Sequence, residues 1–260
     1  MSWIEALILG LVQGLTEFLP VSSSGHLELG KYLLGVDAEN SLAFTVVVHG
    51  ATVLSTIVVF RKDIWEVLVG LLDFSWNSSW KFAVSIIISM IPVLIVGLFF
   101  IDYVESFFSG NIRFVGTMLL VTAVLLALTH FKKSGERKIK FLDAFIIGVA
   151  QMIAVLPGIS RSGATISTGI LLGNKRELVA RFSFLMVLIP IIGANILDVY
   201  KGEMGSESGV GALALAVGFV TAFLAGLLAC KWMINIVKRG NLIYFAAYCL
   251  VIGLVAIFIA

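Results

Sequence analysis

Two polar interruptions inside otherwise apolar segments constrain the fold of this chain more than any other feature. The tract from Gly10 to His26 reads GLVQGLTEFLPVSSSGH, and the tract from Gly148 to Thr165 reads GVAQMIAVLPGISRSGAT. A shift of 138 positions superposes glycines, glutamines and serines of the two tracts, whereas their prolines fall one position out of step. Polar groups are expensive in lipid, so two matching interruptions indicate a repeated functional unit.

The composition indicates an integral membrane protein. Hydrophobic residues make up 60% of the 260 residues and charged residues only 13%, against about 25% charged in soluble domains. The mean hydropathy is +1.07. A net charge of +2 does not suggest nucleic-acid binding. Cys230 and Cys249 lie in apolar runs, which predicts packing residues rather than a disulfide or a metal pair.

Six apolar segments are long enough to span a membrane, because about 20 residues rising 1.5 Å each cover a core of about 30 Å. They are 42–60, 83–101, 113–131, 179–200, 210–231 and 242–260. Segments 2–34 and 141–173 instead consist of two apolar halves joined by a Pro/Ser/Gly break, which is typical of re-entrant hairpins in inverted repeats. We therefore predict an all-α integral membrane protein with six transmembrane helices plus two re-entrant helix hairpins.

The charges predict the orientation. The segment 132–140, KKSGERKIK, is strongly basic and is predicted to be a cytoplasmic loop. It would join repeat halves of about 1–131 and 141–260 within a single membrane domain, 1–260. Counting spans from this loop places most Lys and Arg residues inside, both termini outside, and the entrance of the first hairpin outside. The acidic residues of the predicted outside loops are Asp37, Glu39, Asp102, Glu105, Glu203 and Glu207. The tryptophan-rich segment 64–80 is predicted to be interfacial.

The first tract places an acid, hydroxyls and a base close together. Gln13 and Glu17 are four residues apart and share one helix face. Pro20 ends that helix, and a serine run can begin the next one. Capping hydroxyls, free N–H groups and the positive end of the helix dipole at such a start favour an anion. The polar residues of this second helix start are Ser22, Ser23, Ser24 and His26.

The second tract adds a cation. Pro157 and Gly158 form the break, and Arg161 follows it, a residue type that binds phosphate oxygens bidentately. The residues around Arg161 are Ser160, Ser162, Gly163 and Thr165. Two such helix starts meeting inside the membrane would form a phosphate-binding pocket, with His49 of a predicted span as a further lining residue. The alternative for Glu17 and Arg161 is a purely structural ion pair, and Asn195 is interpreted as structural.

Both tracts carry a family resemblance. The sequence QGLTEFLPVSSSGH resembles the (E/Q)xxxE motif and serine–histidine stretch of the bacterial undecaprenyl-diphosphate phosphatases of the UppP/BacA family, and PGISRSGAT is similar to that family's second signature. The resemblance spans nearly the whole chain. It implies a bacterial plasma (inner) membrane enzyme that hydrolyses undecaprenyl diphosphate to undecaprenyl phosphate, recycles the lipid carrier of cell-wall synthesis and confers bacitracin resistance. The site residues that it implies are Glu17, Ser22, Ser23, His26, Ser160, Arg161, Ser162 and Thr165.

These residues predict a division of roles. We expect Glu17, Ser23, His26 and Arg161 to be catalytic. The expected substrate-binding residues are Gln13, Ser22, Ser24, His49, Ser160, Ser162, Gly163 and Thr165. In one mechanism Ser23 attacks the terminal phosphorus, with Glu17 and His26 sharing base, acid and orienting roles; in its rival His26 is the nucleophile. Arg161 and the helix starts would stabilise charge on the transferring phosphoryl group.

A divalent cation, Mg²⁺ or Ca²⁺, is implied by the same resemblance. Gln13 stands where many members have a first glutamate, so Glu17 is the one clear carboxylate near the site. We therefore expect a cation bridged by the substrate, with Glu17 as the candidate ligand, rather than a cage of protein ligands.

Transport is the alternative function. Inverted repeats with broken helices also build secondary transporters, so the protein could flip a polyprenyl phosphate, alone or in addition to hydrolysis. The expected partners are a polyprenyl diphosphate lipid and the bilayer, with the active site facing the extracytoplasmic side. The oligomeric state stays open, because glycine faces at Gly211, Gly218 and Gly226 can pack helices within one subunit or between two subunits of a homodimer.

Overall fold

The fold is built from α-helices throughout the residues that the structure describes. A computed structural model describes residues 1–36, 42–100, 103–104, 106–108, 111–133, 135–200 and 210–259. The first half contains α1 (Trp3–Thr16), α2 (Ser23–Leu34), α3 (Leu42–Val59), α4 (Arg61–Leu72), α5 (Ser78–Phe99) and α6 (Ile112–His130), with a 3₁₀ turn at Ser106–Phe108. The second half contains α7 (Phe141–Ile153), α8 (Arg161–Leu171), α9 (Arg176–Met186), α10 (Leu188–Tyr200), α11 (Ala212–Arg239) and α12 (Ile243–Ile259). The predicted all-α class is confirmed.

Four helical segments of the described residues are long and apolar enough to cross a membrane, or five if the bent pair of α3 and α4 counts as one. They are α5, α6, α11 and the combined segment Arg176–Ile196. The axis turns by 72° between α3 and α4, and none of the α4 residues is buried, which fits the predicted interfacial segment. The sixth predicted span, 242–260, corresponds to α12, an apolar helix of 17 residues. The chain is a multi-pass membrane protein.

Both predicted hairpins have the form helix, break, helix. The first break lies between α1 and α2, and the second lies between α7 and α8. Ser22 adopts a φ of 70° in the first break, and Gly158 adopts a φ of 97° in the second. These left-handed residues let the chain reverse its course within a few positions, and a glycine does so without the Cβ penalty that Ser22 bears.

The two halves repeat the same helix packing. α1 packs against α11, where a Cβ on Gly10 would lie 2.7 Å from the carbonyl oxygen of Gly218. α7, the counterpart of α1, packs against α5, where a Cβ on Gly148 would collide with the backbone of Ser89. Gly10 and Gly148 superpose in the repeat, so the same residue provides the close approach in both halves. α6 and α12 form the third pair. In this pair the backbone of Gly116 packs against the backbone of Gly253.

The glycine face of α11 is largely used inside one subunit. A Cβ on Gly226 would lie 2.8 Å from the hydroxyl of Ser55 on α3, and Gly218 lies against the ring of Phe44. Gly211 faces open space. Two of the three glycines thus serve intramolecular packing. The acidic residues predicted for the outside loops lie outside the described residues.

Candidate active site

The two breaks lie directly against each other. A Cβ on Gly25, in the first turn of α2, would lie 3.1 Å from the Cα of Gly158 in the second break. The hydroxyl of Ser162, in the first turn of α8, donates to the carbonyl oxygen of Leu19 in the first break at 3.2 Å. The sequence predicted that the two helix starts would meet, and the structure places them together.

Each helix start is capped by the same device. The hydroxyl of Ser22 accepts a hydrogen bond from the Gly25 N–H at 3.3 Å, and that of Ser160 accepts one from the Gly163 N–H at 3.0 Å. Each capping hydroxyl also lies 3.3 Å from the hydroxyl two residues later. Other N–H groups of each first turn have no intrahelical acceptor, so the paired starts can receive an anion.

Glu17 is the centre of the polar cluster. Its Oε2 accepts hydrogen bonds from the Gln13 amide at 3.0 Å and from the Ser23 hydroxyl at 2.6 Å. Its Oε1 pairs with an Nη2 N–H of Arg161 from the other half of the chain. The carboxylate side chain is only 5% exposed. Three of the four predicted catalytic residues are therefore in direct contact.

One end of the Arg161 guanidinium is available to bind a ligand. Within the described residues its second terminal nitrogen, Nη1, has no hydrogen-bond partner. Its side chain lines two cavities, one of about 430 Å³ and one of about 20 Å³. The larger volume is in the range of small-molecule sites. Its polar lining residues are Glu17, Ser22, Ser23, Ser24, Thr45, His49, Gln151, Arg161 and Asn195.

His26 does not line either cavity. Its Nδ1 lies 2.8 Å from the carbonyl oxygen of Ser22, and its Nε2 lies 2.9 Å from the hydroxyl of Tyr248. A carbonyl oxygen only accepts, so Nδ1 donates and Nε2 accepts from the tyrosine. The two rings also stack with centroids 5.5 Å apart. The structure therefore does not bring His26 to Glu17, and the catalytic role of this histidine stays a prediction.

Of the predicted binding residues of the second tract, some line a cavity and others hold the helices around it. Ser162 lines the smaller cavity. The Thr165 hydroxyl lies 2.8 Å from the carbonyl oxygen of Arg161 and 2.6 Å from the Ser183 hydroxyl, so it holds α8 against α9. Gly163 permits close packing, because a Cβ there would lie 3.0 Å from the Ser160 side chain.

Some cavity residues were missed by sequence reasoning. Gln151 is the repeat counterpart of Gln13, so the superposition of the two tracts was a usable signal for it. Asn195, interpreted as structural, lines the larger cavity together with Thr45. Tyr248, the partner of His26, is 222 positions away and had no signal.

The donor set does not fit a divalent cation held by the protein alone. Both oxygens of Glu17 already accept hydrogen bonds, and one of them pairs with the Arg161 guanidinium. The described residues contain no group of three or more His, Cys, Asp or Glu side chains that could hold a metal. A cation beside this guanidinium would need further negative charge from outside the protein.

Comparison with known proteins adds a match over nearly the full chain. Residues 6–255 match the family described as bacitracin resistance protein BacA. The chain is 56% identical to an undecaprenyl-diphosphatase of Parabacteroides distasonis, over 99% of this chain and 98% of that protein. It is 55% identical to an undecaprenyl-diphosphatase of Bacteroides thetaiotaomicron, over the same shares. A further undecaprenyl-diphosphatase, from Christiangramia forsetii, is 57% identical over 100% of this chain and 99% of the relative.

Proposed function

Because this chain belongs to the bacitracin resistance protein BacA family, we propose that the cavity bounded by Glu17, Ser23 and Arg161 is where it hydrolyses its lipid diphosphate. The chain is an undecaprenyl-diphosphatase, which converts undecaprenyl diphosphate to undecaprenyl phosphate and phosphate. The product is the lipid carrier of cell-wall synthesis, and its recycling underlies bacitracin resistance.

The contact between Ser23 and Glu17 carries the assignment of the nucleophile. A serine hydroxyl is a weak nucleophile until a neighbouring base accepts its proton, and base and hydroxyl must be within hydrogen-bond reach. The Ser23 hydroxyl donates to the Glu17 carboxylate at 2.6 Å, and both residues line the larger cavity. This contact supports the activation of Ser23 by Glu17.

The reaction then has two steps. Ser23 Oγ forms a bond to the terminal phosphorus while its proton passes to Glu17, and the bond from that phosphorus to the bridging oxygen breaks. Undecaprenyl phosphate leaves with the electron pair of that bond. Water next attacks the phosphorus of the phosphoserine, the bond from that phosphorus to Ser23 Oγ breaks, and Oγ takes back the proton held by Glu17. Phosphate is released with the protons of the water, and both the serine hydroxyl and the Glu17 carboxylate are restored. The free N–H donors of Arg161 stabilise the charge on the transferring group in both steps.

The rival mechanism gives the nucleophilic role to His26. Both of its ring nitrogens are engaged, one with the Ser22 carbonyl and one with the Tyr248 hydroxyl. An imidazole nitrogen can attack phosphorus only with a free lone pair, so His26 would first have to leave Tyr248. This favours Ser23.

Trapping the phosphorylated enzyme tests the choice. Acid quenching after a brief reaction with undecaprenyl diphosphate, followed by mass spectrometry of peptides, should locate phosphate on Ser23. Because phosphohistidine is hydrolysed in acid, a parallel quench in alkali is required. Ser85→Ala is the matched control for substitution of a serine. This buried serine lies on α5, outside both cavities, and its hydroxyl donates to the Lys81 carbonyl oxygen. Phosphate on His26 in the alkaline sample would overturn the serine mechanism.

We propose that a divalent cation, Mg²⁺ or Ca²⁺, binds to the site together with the diphosphate substrate and not to the protein alone. The cation would supply charge neutralisation on the substrate, and Glu17 is the protein residue best placed to contact it. Calorimetric titration of Mg²⁺ into substrate-free protein should give no saturable heat, while chelation by EDTA should still lower activity. Saturable binding that Glu17→Gln abolishes would contradict this proposal.

Lipid transport is a second candidate function. Two observations favour it: the repeated packing of α1 on α11 and of α7 on α5, and the contact between the two breaks at Gly25 and Gly158. Secondary transporters also bring the broken helices of inverted repeats together. Phosphate release by purified protein in detergent and movement of labelled undecaprenyl phosphate in vesicles are separate measurements. A hydrolase alone gives the first result without the second.

The location in the bacterial plasma membrane and the outward-facing active site are also proposals. They rest on the basic loop 132–140 and on the position of the first break in the repeat. Cysteines introduced at the exposed residues Arg113 and Lys138 would report the two sides of the membrane. An impermeant maleimide should label position 113 in intact cells and position 138 only after lysis. The opposite pattern would reverse the orientation.

A further inference from the structure

The Gln151 side chain is a buried amide without a protein partner. It lies near the end of α7, is 3% exposed and lines the larger cavity. Neither its nitrogen nor its oxygen has a hydrogen-bond partner within the described part of the chain. Buried polar groups without partners are uncommon because their desolvation is not compensated, so this amide is available for a ligand in the cavity.

The repeat explains why the amide is free. Gln13, its counterpart in the first half, donates to Glu17 four residues later. The residue four positions after Gln151 is Val155, which has no side-chain acceptor. The same helix position therefore orients the catalytic carboxylate in one half and leaves an unpaired donor in the other. Val155 also lines the cavity, so an apolar side chain lies at the position where the first half has a carboxylate.

We propose that the Gln151 amide donates a hydrogen bond to the lipid-linked phosphate of the bound diphosphate, which is the leaving group. This inference rests on the proposed function, in which Ser23 attacks the terminal phosphate and Arg161 stabilises its charge. Gln151 belongs to the second half and lines the same cavity. An amide has two N–H donors and phosphate oxygens are acceptors, so the pairing is complementary. Its donors strengthen their interaction as charge develops on the leaving oxygen.

Inhibition by the two products distinguishes the two phosphate positions. Undecaprenyl phosphate carries the lipid-linked phosphate, whereas inorganic phosphate corresponds to the terminal one. In Gln151→Leu the inhibition constant of undecaprenyl phosphate should rise about tenfold, the effect of losing one hydrogen bond to a charged group. The inhibition constant of inorganic phosphate should not change. Gln151→Glu, which adds a negative charge, should weaken undecaprenyl phosphate further.

A matched control separates this contact from the loss of any buried amide. Asn174 is 0% exposed, and neither of its amide atoms has a partner within the described residues. It lies outside both cavities at the active site. Asn174→Ala should leave both inhibition constants unchanged. Thermal melting in detergent checks the fold, and Gln151→Met, of similar length, replaces Gln151→Leu if the leucine variant does not fold.

Two results would overturn the inference. Unchanged inhibition by undecaprenyl phosphate in the Gln151 variants would show that the amide does not contact this group. An equal rise in both inhibition constants would show general damage to the cavity. A different result would contradict the proposed function, namely phosphate release by the Ser23→Ala variant. In that case the inhibition constants of the Gln151 variants would still report where the lipid-linked phosphate binds.

Discussion

The two helix starts at the active site share one backbone design and carry different chemistry. Ser23 and Arg161 occupy the first position of α2 and of α8, each directly after a capping serine. They contact the same carboxylate on different oxygens, Ser23 at Oε2 and Arg161 at Oε1 of Glu17. The comparison teaches that the matching serine caps give both helix starts the same anion-binding backbone geometry. The difference at the first helix position places a hydroxyl, the proposed nucleophile, in one half and a cation in the other.

The counterpart of Glu17 shows the same asymmetry. Val155 replaces the carboxylate in the second half, although the glutamine four residues before it is kept. A second carboxylate would add negative charge to a pocket that must receive a diphosphate, and it would also compete for Arg161. A single carboxylate beside one guanidinium thus limits the negative charge of a site that is proposed to bind an anion.

Removing the hydroxyl from the first helix start should have the largest effect. Ser23→Ala is expected to lower kcat for phosphate release by about ten-thousandfold or more, because the nucleophile is lost. The measurement is phosphate release from undecaprenyl diphosphate in detergent. Ser85→Ala should retain full activity as the control. A loss of less than tenfold in Ser23→Ala would mean that the two helix starts do not divide the roles as described.

Removing the cation from the second helix start should have the next largest effect. Arg161→Ala is expected to lower kcat/KM by about a thousandfold, as for other guanidinium groups on transferring phosphoryl groups. Arg161→Lys should recover part of this loss, since it restores the charge without the bidentate geometry. Arg113→Ala, at an exposed position on α6, is the control. Equal activity of the lysine variant and the native protein would argue against bidentate binding.

A double variant asks whether the pair of Glu17 and Arg161 serves stability as well as catalysis. Arg161→Gln leaves the buried Glu17 carboxylate without its partner and should destabilise the protein by about 3 kcal/mol. Glu17→Gln leaves the half-buried Arg161 guanidinium unpaired and should cost less. The double variant should recover most of that stability while remaining inactive. Thermal melting and phosphate release in the same preparations give the two readouts. Recovery of activity in the double variant would assign the pair a purely structural role.

Glycine-to-alanine variants test the helix packing that is repeated in the two halves. Gly148→Ala places a methyl group against the Ser89 backbone, and Gly10→Ala places one against Gly218. Each should cost about 1–3 kcal/mol of stability through overpacking. Gly97→Ala is the control, because nothing lies within 4 Å of its Cβ position and alanine favours a helix interior. Melting temperatures that fall equally in all three variants would show that the glycine contacts are not special.

The capping serines should give the smallest difference. Ser160→Ala removes one cap and is expected to cost about 1 kcal/mol. Ser22→Gly also removes a cap hydroxyl, but glycine tolerates the φ of 70° found there and should cost only a few tenths of a kcal/mol. Melting curves of the two variants give the comparison. A larger loss in Ser22→Gly would show that the hydroxyl itself holds the first break.

The local features of the site could be predicted, whereas some of its side-chain directions could not. Serine after a proline break predicts a cap, and both Ser22 and Ser160 cap a helix. The meeting of Glu17 and Arg161 followed from the repeat. The direction of His26 did not, because its partner Tyr248 lies on α12 and enters through the packing of that helix. Spacing along α2 alone would place His26 and Ser23 on the same helix face.

The sequence by itself determined the membrane class, the helical fold, the two breaks and the identity of the family, because hydropathy, proline and serine act on the local backbone. Only the tertiary structure decided which polar groups share a cavity. It left His26 outside the cavities that Glu17 lines, placed the unpaired amide of Gln151 in the larger cavity, and turned Thr165 towards Ser183. These arrangements depend on how α1, α7 and their partner helices pack, which the local backbone preferences of the sequence do not determine.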